Sequence, residues 1–260
     1  MRLLICLLLA AVVAKPPAAY AFGWDGHHMV CAVAWDELTP DLRAKVEDIL
    51  EAKGRDAFAL SCRWADDVIR WRKETAPWHY INAPQGETKV DMKRDCPQPN
   101  SCVVEQVSCH AARLKSPSAK DDLRYTAHFI GDLHTPLHVG YEADRGGNDI
   151  KGKFEGIDTN LHAVWDYNML DATHKPWPEL ADELHGQITD AERKQWQAGT
   201  PVDWANESFA ITLSPAMGYH RYDPPFDLGE AYAKTNLPTV YQQIKKAGVR
   251  LAWVLTQVLK

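Results

Sequence analysis

A chain of 260 residues with 45% hydrophobic side chains can build one large core or two small ones. Its formal charge of −6 argues against a sequence-reading DNA protein, which needs a surplus of Lys and Arg to neutralise phosphate. The same charge leaves room for an enzyme whose bound divalent cations meet phosphate, because each cation is the largest charge in its neighbourhood.

Residues 1–21 read as a secretory signal peptide: Arg2, a leucine-rich run from Leu3 to Val13, then Ala19-Tyr20-Ala21 as a small-x-small cleavage site. That run is too short for a membrane anchor, and no later stretch is apolar for long enough to span a bilayer. The expected mature domain covers residues 22–260, begins at Phe22 and is secreted or periplasmic. Loss of Arg2 and Lys15 takes its charge from −6 to −8. Cys6 leaves with the signal, and export allows disulfides among the rest. Cys96 and Cys102 bracket a turn-rich loop easily closed by a bridge, while Cys31 and Cys62 lie on separate predicted helices that a bridge could staple. Cys109 is the odd one out. No Cys-x-x-Cys pair occurs, which speaks against a thiolate zinc site.

Helical patterns dominate the remainder. His27 to Glu37 reads as a helix, followed by Thr39 as a cap with Pro40 at the first helical position. The next helix carries the stripe Leu42, Val46, Ile49, Leu50 and is closed by Gly54. A third spans roughly Leu60 to Lys73. Pro77 to Pro99 is loop-like around an extended piece, Trp78 to Asn82. Helix resumes from Val103 to Leu114, breaks at Ser116-Pro117, and restarts with Ser118 and Asp121 as a capping box. Arg145 to Asp149 is a turn, and Asn160 to Leu170 a helix. Thr189 with Glu192 caps another, Trp204 to Leu213 forms one more, and a long amphipathic helix follows Pro238. Strand-type alternation is scarce. The expectation is one all-α domain.

Within it, the stretch from His128 to His138 places three histidines and a carboxylate in an apolar run. On a helix His128 and Asp132 share a face, and Pro136 breaks the helix so that His138 can approach from another direction. Buried imidazole and carboxylate cost free energy unless paired, and a metal ion pairs both. His162 and Asp166 repeat the four-residue spacing, Asp66 follows Trp64-Ala65, His79 lies among aromatics, and His27 is near the expected new N-terminus. A lone His–Asp pair is more often a surface pair; several in one exported helical chain point to a metal centre, and their N/O donors suit zinc. His134 points off the His128/Asp132 face and reads as structural or exposed. His28, His110, His174, His185 and His220 have no partner pattern.

These residues also resemble a family: the exported zinc-dependent single-strand nucleases and 3′-nucleotidases of the S1/P1 type, distant relatives of bacterial zinc phospholipase C. The resemblance runs through Gly26-His27, Trp64-Ala65-Asp66, His79-Tyr80-Ile81, the His128-to-His138 segment, Gly146-Gly147-Asn148, Leu161-His162 with Trp165-Asp166, and Trp204 to Ser208. It implies three zinc ions. Asp66, His79, His128 and Asp132 would hold one; His138, His162 and Asp166 the second. His27, a bridging Asp132 and the amino and carbonyl groups of Phe22 would hold the third. Asp66 and Arg70 would be catalytic, cleaving between phosphorus and the 3′ oxygen of single-stranded DNA and RNA. Products carry 5′-phosphates, and 3′-nucleotides are implied as further substrates.

Tyr80, Asn82 and Asn148 would contact substrate, in a monomer. Two positions depart from the family's pattern: Arg70 stands four residues after Asp66 and three after Asp67, and Asn82 replaces a carboxylate. Phospholipase C activity and a non-catalytic zinc-binding role are the alternatives; no apolar membrane-contact loop is visible for the former. Asn206-Glu207-Ser208 is a glycosylation sequon within a predicted helix.

Overall fold

The computed structural model describes residues 23–116, 119–219 and 225–260. The expected signal peptide, its expected cleavage point and Phe22 lie outside them, as do Pro117 and Ser118 of the expected helix break and cap, and His220. The family of elements is mainly helical. Helices α1 (Gly23–Glu37), α2 (Pro40–Leu50), α3 (Gly54–Ser61) and α4 (Trp64–Val68) come first. A 3₁₀ segment, Lys73–His79, delivers the chain to strand β1 (Ile81–Ala83). Helices α5 (Met92–Asp95), α6 (Val103–Ala112) and α7 (Ala119–Leu133) follow, then a 3₁₀ turn, Pro136–His138, and strand β2 (Val139–Tyr141).

Strands β3 (Lys151–Phe154) and β4 (Ile157–Asn160) form a hairpin. Behind it, α8 (Leu161–Ala163), a π turn (Val164–Asn168) and α9 (Met169–Asp171) run on continuously. Helices α10 (Trp177–Gly186), α11 (Asp190–Trp196) and α12 (Pro201–Thr212), strand β5 (Phe226–Leu228) and helix α13 (Glu230–Leu259) complete the order.

Helix α1 is the hub. It packs against α13, α10, α3 and α7, and its side chains are buried without a break from Gly26 to Trp35. A helix covered on all sides needs no polar stripe, which is why its apolar periodicity is weak. The close crossing with α7 depends on Gly131: a Cβ there would lie 2.7 Å from His27 Nδ1. Disulfides Cys31–Cys62 and Cys96–Cys102 form as the sequence allowed, the first tying α1 to the end of α3; Cys109 is a free, half-buried thiol.

Several local expectations change. Helix α2 ends at Leu50 with Glu51 in the left-handed region (φ 55°), and Gly54 opens α3 instead of closing α2. The expected Leu60–Lys73 helix is two helices and a turn. The Cys62 carbonyl accepts from His128 Nδ1 (2.7 Å), and the N–H groups of Trp71 and Arg72 both return to the Val68 carbonyl (3.1 and 2.8 Å). Helix α13 begins eight residues before Pro238, which lies inside it; Ala231, Ala233 and Lys234 favour helix there. The capping box Thr189/Glu192 forms as expected, and a second, Thr200/Asp203, precedes α12.

Of the strands, only β1 was foreshadowed, by the extended piece Trp78 to Asn82, whose first two residues instead end the 3₁₀ segment. Strands β1 and β2 pair in parallel, Ile81 with Val139, Asn82 with Gly140 and Ala83 with Tyr141. Strand β5 adds in parallel to β3. Three-residue strands are too short to show alternation, yet the β1–β2 pair ties the chain just after His79 to the chain just after His138.

Candidate metal centre

Five segments converge beneath α1: α4 with Asp66, the end of the 3₁₀ segment with His79, α7 with His128 and Asp132, the 3₁₀ turn with His138, and the continuous α8 and π turn with His162 and Asp166. Their donor atoms form three groups, His27/His128/Asp132, Asp66/His79/His128 and His138/His162/Asp166, each with its atoms within 4.8 Å of one another. All eight side chains are buried. The helical spacing does what it implied for His128 and Asp132, whose Nε2 and Oδ2 lie 3.4 Å apart.

Asp132 is the hinge of the arrangement. Its Oδ1 lies 3.3 Å from His27 Nε2 and 3.9 Å from His138 Nδ1; its Oδ2 lies 3.0 Å from His79 Nδ1. Asp66 Oδ1 approaches His128 Nε2 (3.3 Å) and His79 Nδ1 (3.6 Å). On the other side, Asp166 is 3.8 Å from His138 Nε2 and 3.9 Å from His162 Nε2. The rings of His27 and His128 stack with centroids 3.8 Å apart.

The donors fit a metal on three counts. First, the Nδ1–H groups of three histidines are spent on backbone carbonyls: His128 on Cys62 (2.7 Å), His138 on His79 (2.6 Å) and His162 on Gly146 (2.8 Å). Each Nε2 lone pair therefore points inward, as in the outer shells that orient metal-binding imidazoles. Second, the nitrogens of His79 and His128 face each other at 3.0 Å, which only a shared proton or a cation makes favourable. Third, Asp66 Oδ2, Asp132 Oδ1 and Oδ2, His79 Nε2 and His138 Nε2 are buried without a hydrogen-bond partner among the described residues, an expensive state that coordination relieves.

Charge tells the same story. Burial works to lower the His128 pKa, but Asp132 and Asp66 outweigh it and push it up to about 9. Burial and the neighbouring His128 push His27 down to about 4; burial and His138 push His162 down to about 3. Burial opposes the ionised form of Asp132, but His128 and His138 hold its carboxyl well below the usual range. The centre thus gathers negative carboxylates among mostly neutral imidazoles. A proton on His128 and divalent cations are competing answers to that charge.

Structure separates Asp66 from Asp67. Asp66 is buried against the histidines, whereas Asp67 faces outward to Arg63 (3.1 Å) and Arg70 (3.5 Å). Arg70, half-exposed, sits at this rim. Tyr80, 40% exposed, and Asn82 and Asn148, both half-buried, line a cleft of about 510 Å³ that His162 also walls. Arg94, Asp95 and Arg145 are further walls that sequence reasoning did not single out. Asn82 Oδ1 is buried and has no hydrogen-bond partner among the described residues, and Asn148 Nδ2 donates to Arg145 O (3.0 Å). The turn before Asn148 needs Gly146: its φ is +60°, and a Cβ there would collide with the Leu137 carbonyl.

Sequence reasoning also missed the support beneath Pro136. The helix break releases carbonyls that side chains of α12 and α13 take up. Ser208 Oγ donates to Leu133 O (2.6 Å), Gln243 Nε2 to His134 O (3.0 Å), and Thr212 Oγ1 bonds to Pro136 O (2.6 Å) and Val139 O (2.9 Å). His134 is buried, not exposed: its Nδ1–H donates to Ile130 O (2.7 Å) and its Nε2 accepts from Arg250 (2.9 Å). Asn206 of the sequon is half-buried and structural, accepting from Val90 N (2.9 Å) and donating to Val202 O (2.9 Å). No signal short of the quoted Trp204-to-Ser208 motif marked these residues.

A mainly helical fold closed around buried groups of imidazoles and carboxylates, with Asp132 set between them, presents the donor set of a metal-dependent hydrolase. The chain belongs to the S1/P1 nuclease family, whose family model matches residues 22–260, and is a zinc-dependent nuclease. It is 29% identical to Endonuclease 4 of Arabidopsis thaliana over 92% of this chain and 90% of that protein. It is 28% identical to Nuclease S1 of Aspergillus oryzae (94% of this chain, 93% of that one) and 28% identical to Nuclease P1 of Penicillium citrinum (90% and 96%).

Proposed function

We propose that this protein is an exported, monomeric endonuclease that hydrolyses single-stranded DNA and RNA between phosphorus and the 3′ oxygen, leaving 5′-phosphates, and that also removes 3′-phosphates from nucleotides. The observation that supports this most is the placement of Asp132 between two donor groups, beside a cleft with one exposed aromatic ring. Three zinc ions fit the donors. Asp66, His79, His128 and Asp132 would hold one, and His138, His162 and Asp166 another. His27 and Asp132, with the amino and carbonyl groups of Phe22 after cleavage at Ala21, would hold the third. When bound, such ions activate water and clamp a phosphate between them.

The chain's own residues do the rest. Asp66, besides its ligand role, orients the attacking water through its second oxygen. Arg70 meets the charge that develops on the phosphate. Tyr80 stacks on a base, which a duplex cannot present, and Asn82 offers that base both a donor and an acceptor, favouring broad base tolerance. Asn148 contacts the sugar–phosphate next to His162.

One digestion series with chelator and zinc re-addition tests the reading on single-stranded DNA, RNA, duplex DNA, a 3′-mononucleotide and a choline lipid. Zinc-restored cutting of both single strands and release of phosphate from the mononucleotide are expected. Chelator-sensitive cleavage of the lipid alone would sink it.

A further inference from the structure

The stretch Ile69-Arg70-Trp71-Arg72-Lys73 carries three positive charges and no acid, in a chain of net charge −6. It hangs between two residues of the metal centre, Asp66 and His79. Because the N–H groups of Trp71 and Arg72 share the Val68 carbonyl, the backbone turns sharply and leaves the Trp71 ring 65% exposed. A second exposed indole, Trp24 at 45%, lies three residues before His27. Arg63 stacks on Trp24 with its guanidinium 3.8 Å from the ring centre, pairs with Asp67 (3.1 Å), and Asp67 pairs with Arg70 (3.5 Å). These contacts link Trp24, Arg63, Asp67 and Arg70 into one ridge along α4, and the exposed Trp71 follows Arg70 in the chain. None of the five lines the Tyr80 cleft.

A single exposed apolar side chain is ordinary. Two indoles interleaved with guanidinium groups, at the edge of a metal centre in an acidic protein, match the chemistry that tracks a single strand: flat rings for bases, fixed cations for phosphates. Trp71 follows Asp66 by only five residues, three of them beyond the end of α4, so the ridge adjoins the segment that carries the proposed ligand. We infer that this ridge is a second docking station for single-stranded nucleic acid. Bases flanking the one in the Tyr80 cleft stack on Trp71 and Trp24, and their phosphates meet Arg63 and Arg70. The inference rests on the nuclease function proposed above, and Arg70 joins the two stations.

The test compares wild-type and Trp71→Ala holoenzyme on two substrates: a dinucleotide, which fills the cleft alone, and a long single strand, which also reaches the ridge. For the variant, KM for the long strand divided by KM for the dinucleotide should rise about fivefold or more, the size of one lost base stack. Trp71→Phe should recover part of that rise. An unchanged ratio overturns the inference. So does a wild-type protein that sediments as a dimer which Trp71→Ala dissolves, since the ridge would then be a subunit contact. A wild-type enzyme that cuts neither substrate fails earlier, at the nuclease reading itself.

Discussion

The two halves of the metal centre are built differently. Around His128 and Asp132 the donors ride on regular helix: α7 presents both on one face, α1 lays His27 against them, and α4 brings Asp66. Around His138, His162 and Asp166 the backbone is irregular, a 3₁₀ turn and a π turn, and its shape comes from elsewhere. Thr212, Ser208 and Gln243 hold the carbonyls freed at Pro136, while Gly146 accepts from His162. The first half shows that helical periodicity can set donors such as His128 and Asp132 on one face, with packing bringing the others to them. The second shows that where the helix must break, side chains of remote helices supply the rigidity the ladder no longer gives.

The regular half can be broken most severely at Asp132, which lies between its two proposed zinc sites. Asp132→Ala should remove metal from both groups that use it and lower nuclease activity by well over the roughly 10–100-fold that loss of an outer-shell partner costs. His138→Ala should empty chiefly one group. Metal content by emission spectrometry, alongside turnover, decides; equal single-zinc losses in the two variants would contradict the bridging role.

Thr212→Val targets the irregular half alone. It removes the hydroxyl that bonds to Pro136 and Val139 while keeping the volume, so zinc affinity at the His138 group should fall roughly 10–100-fold. Thr212→Ser should restore it, and the His128 groups should keep their metal, as competition with a chromophoric chelator would show. Conversely, Gly131→Ala strikes the regular half. Its Cβ falls on the His27 ring, an overpacking worth about 1–3 kcal/mol, so the melting temperature should drop and zinc held by His27 should be the first lost.

A further test is a pH slope. Burial, with the nearby Arg250 charge, pushes His134 down to about 3, so the folded protein keeps it neutral while the unfolded chain protonates near pH 6.5. Because the unfolded state then binds more protons, stability contributed by His134 is complete above about pH 6.5 and is lost as pH falls toward 3. The slope is at most about 1.4 kcal/mol per pH unit. Denaturant titrations between these limits should give a steeper decline for wild type than for His134→Gln.

The same division governs what the sequence could disclose. Most of the helices, the Cys96–Cys102 bridge and the donors spaced four apart were legible because each rests on local period or spacing, whereas Cys31–Cys62 was readable only as a staple between two expected helices. His134 shows the limit: its orientation off the ligand face was readable, but its burial was not, since Arg250 and Glu207 come from distant helices. The breaks within Leu60–Lys73 escaped because their cause is tertiary, a carbonyl at Cys62 turned toward His128. The ridge at Trp71 escaped because exposure cannot be read from residue type.

The parallel pair β1–β2 has a consequence for how the enzyme measures its substrate. Tyr80 and Asn82 flank one strand's start, His79 precedes it, and His138 precedes the other, with Ile81 locked to Val139. A slip of one residue would turn every side chain of β1 to the opposite face. The proposed base seat and the proposed metal ligands are therefore graduations on one short ruler.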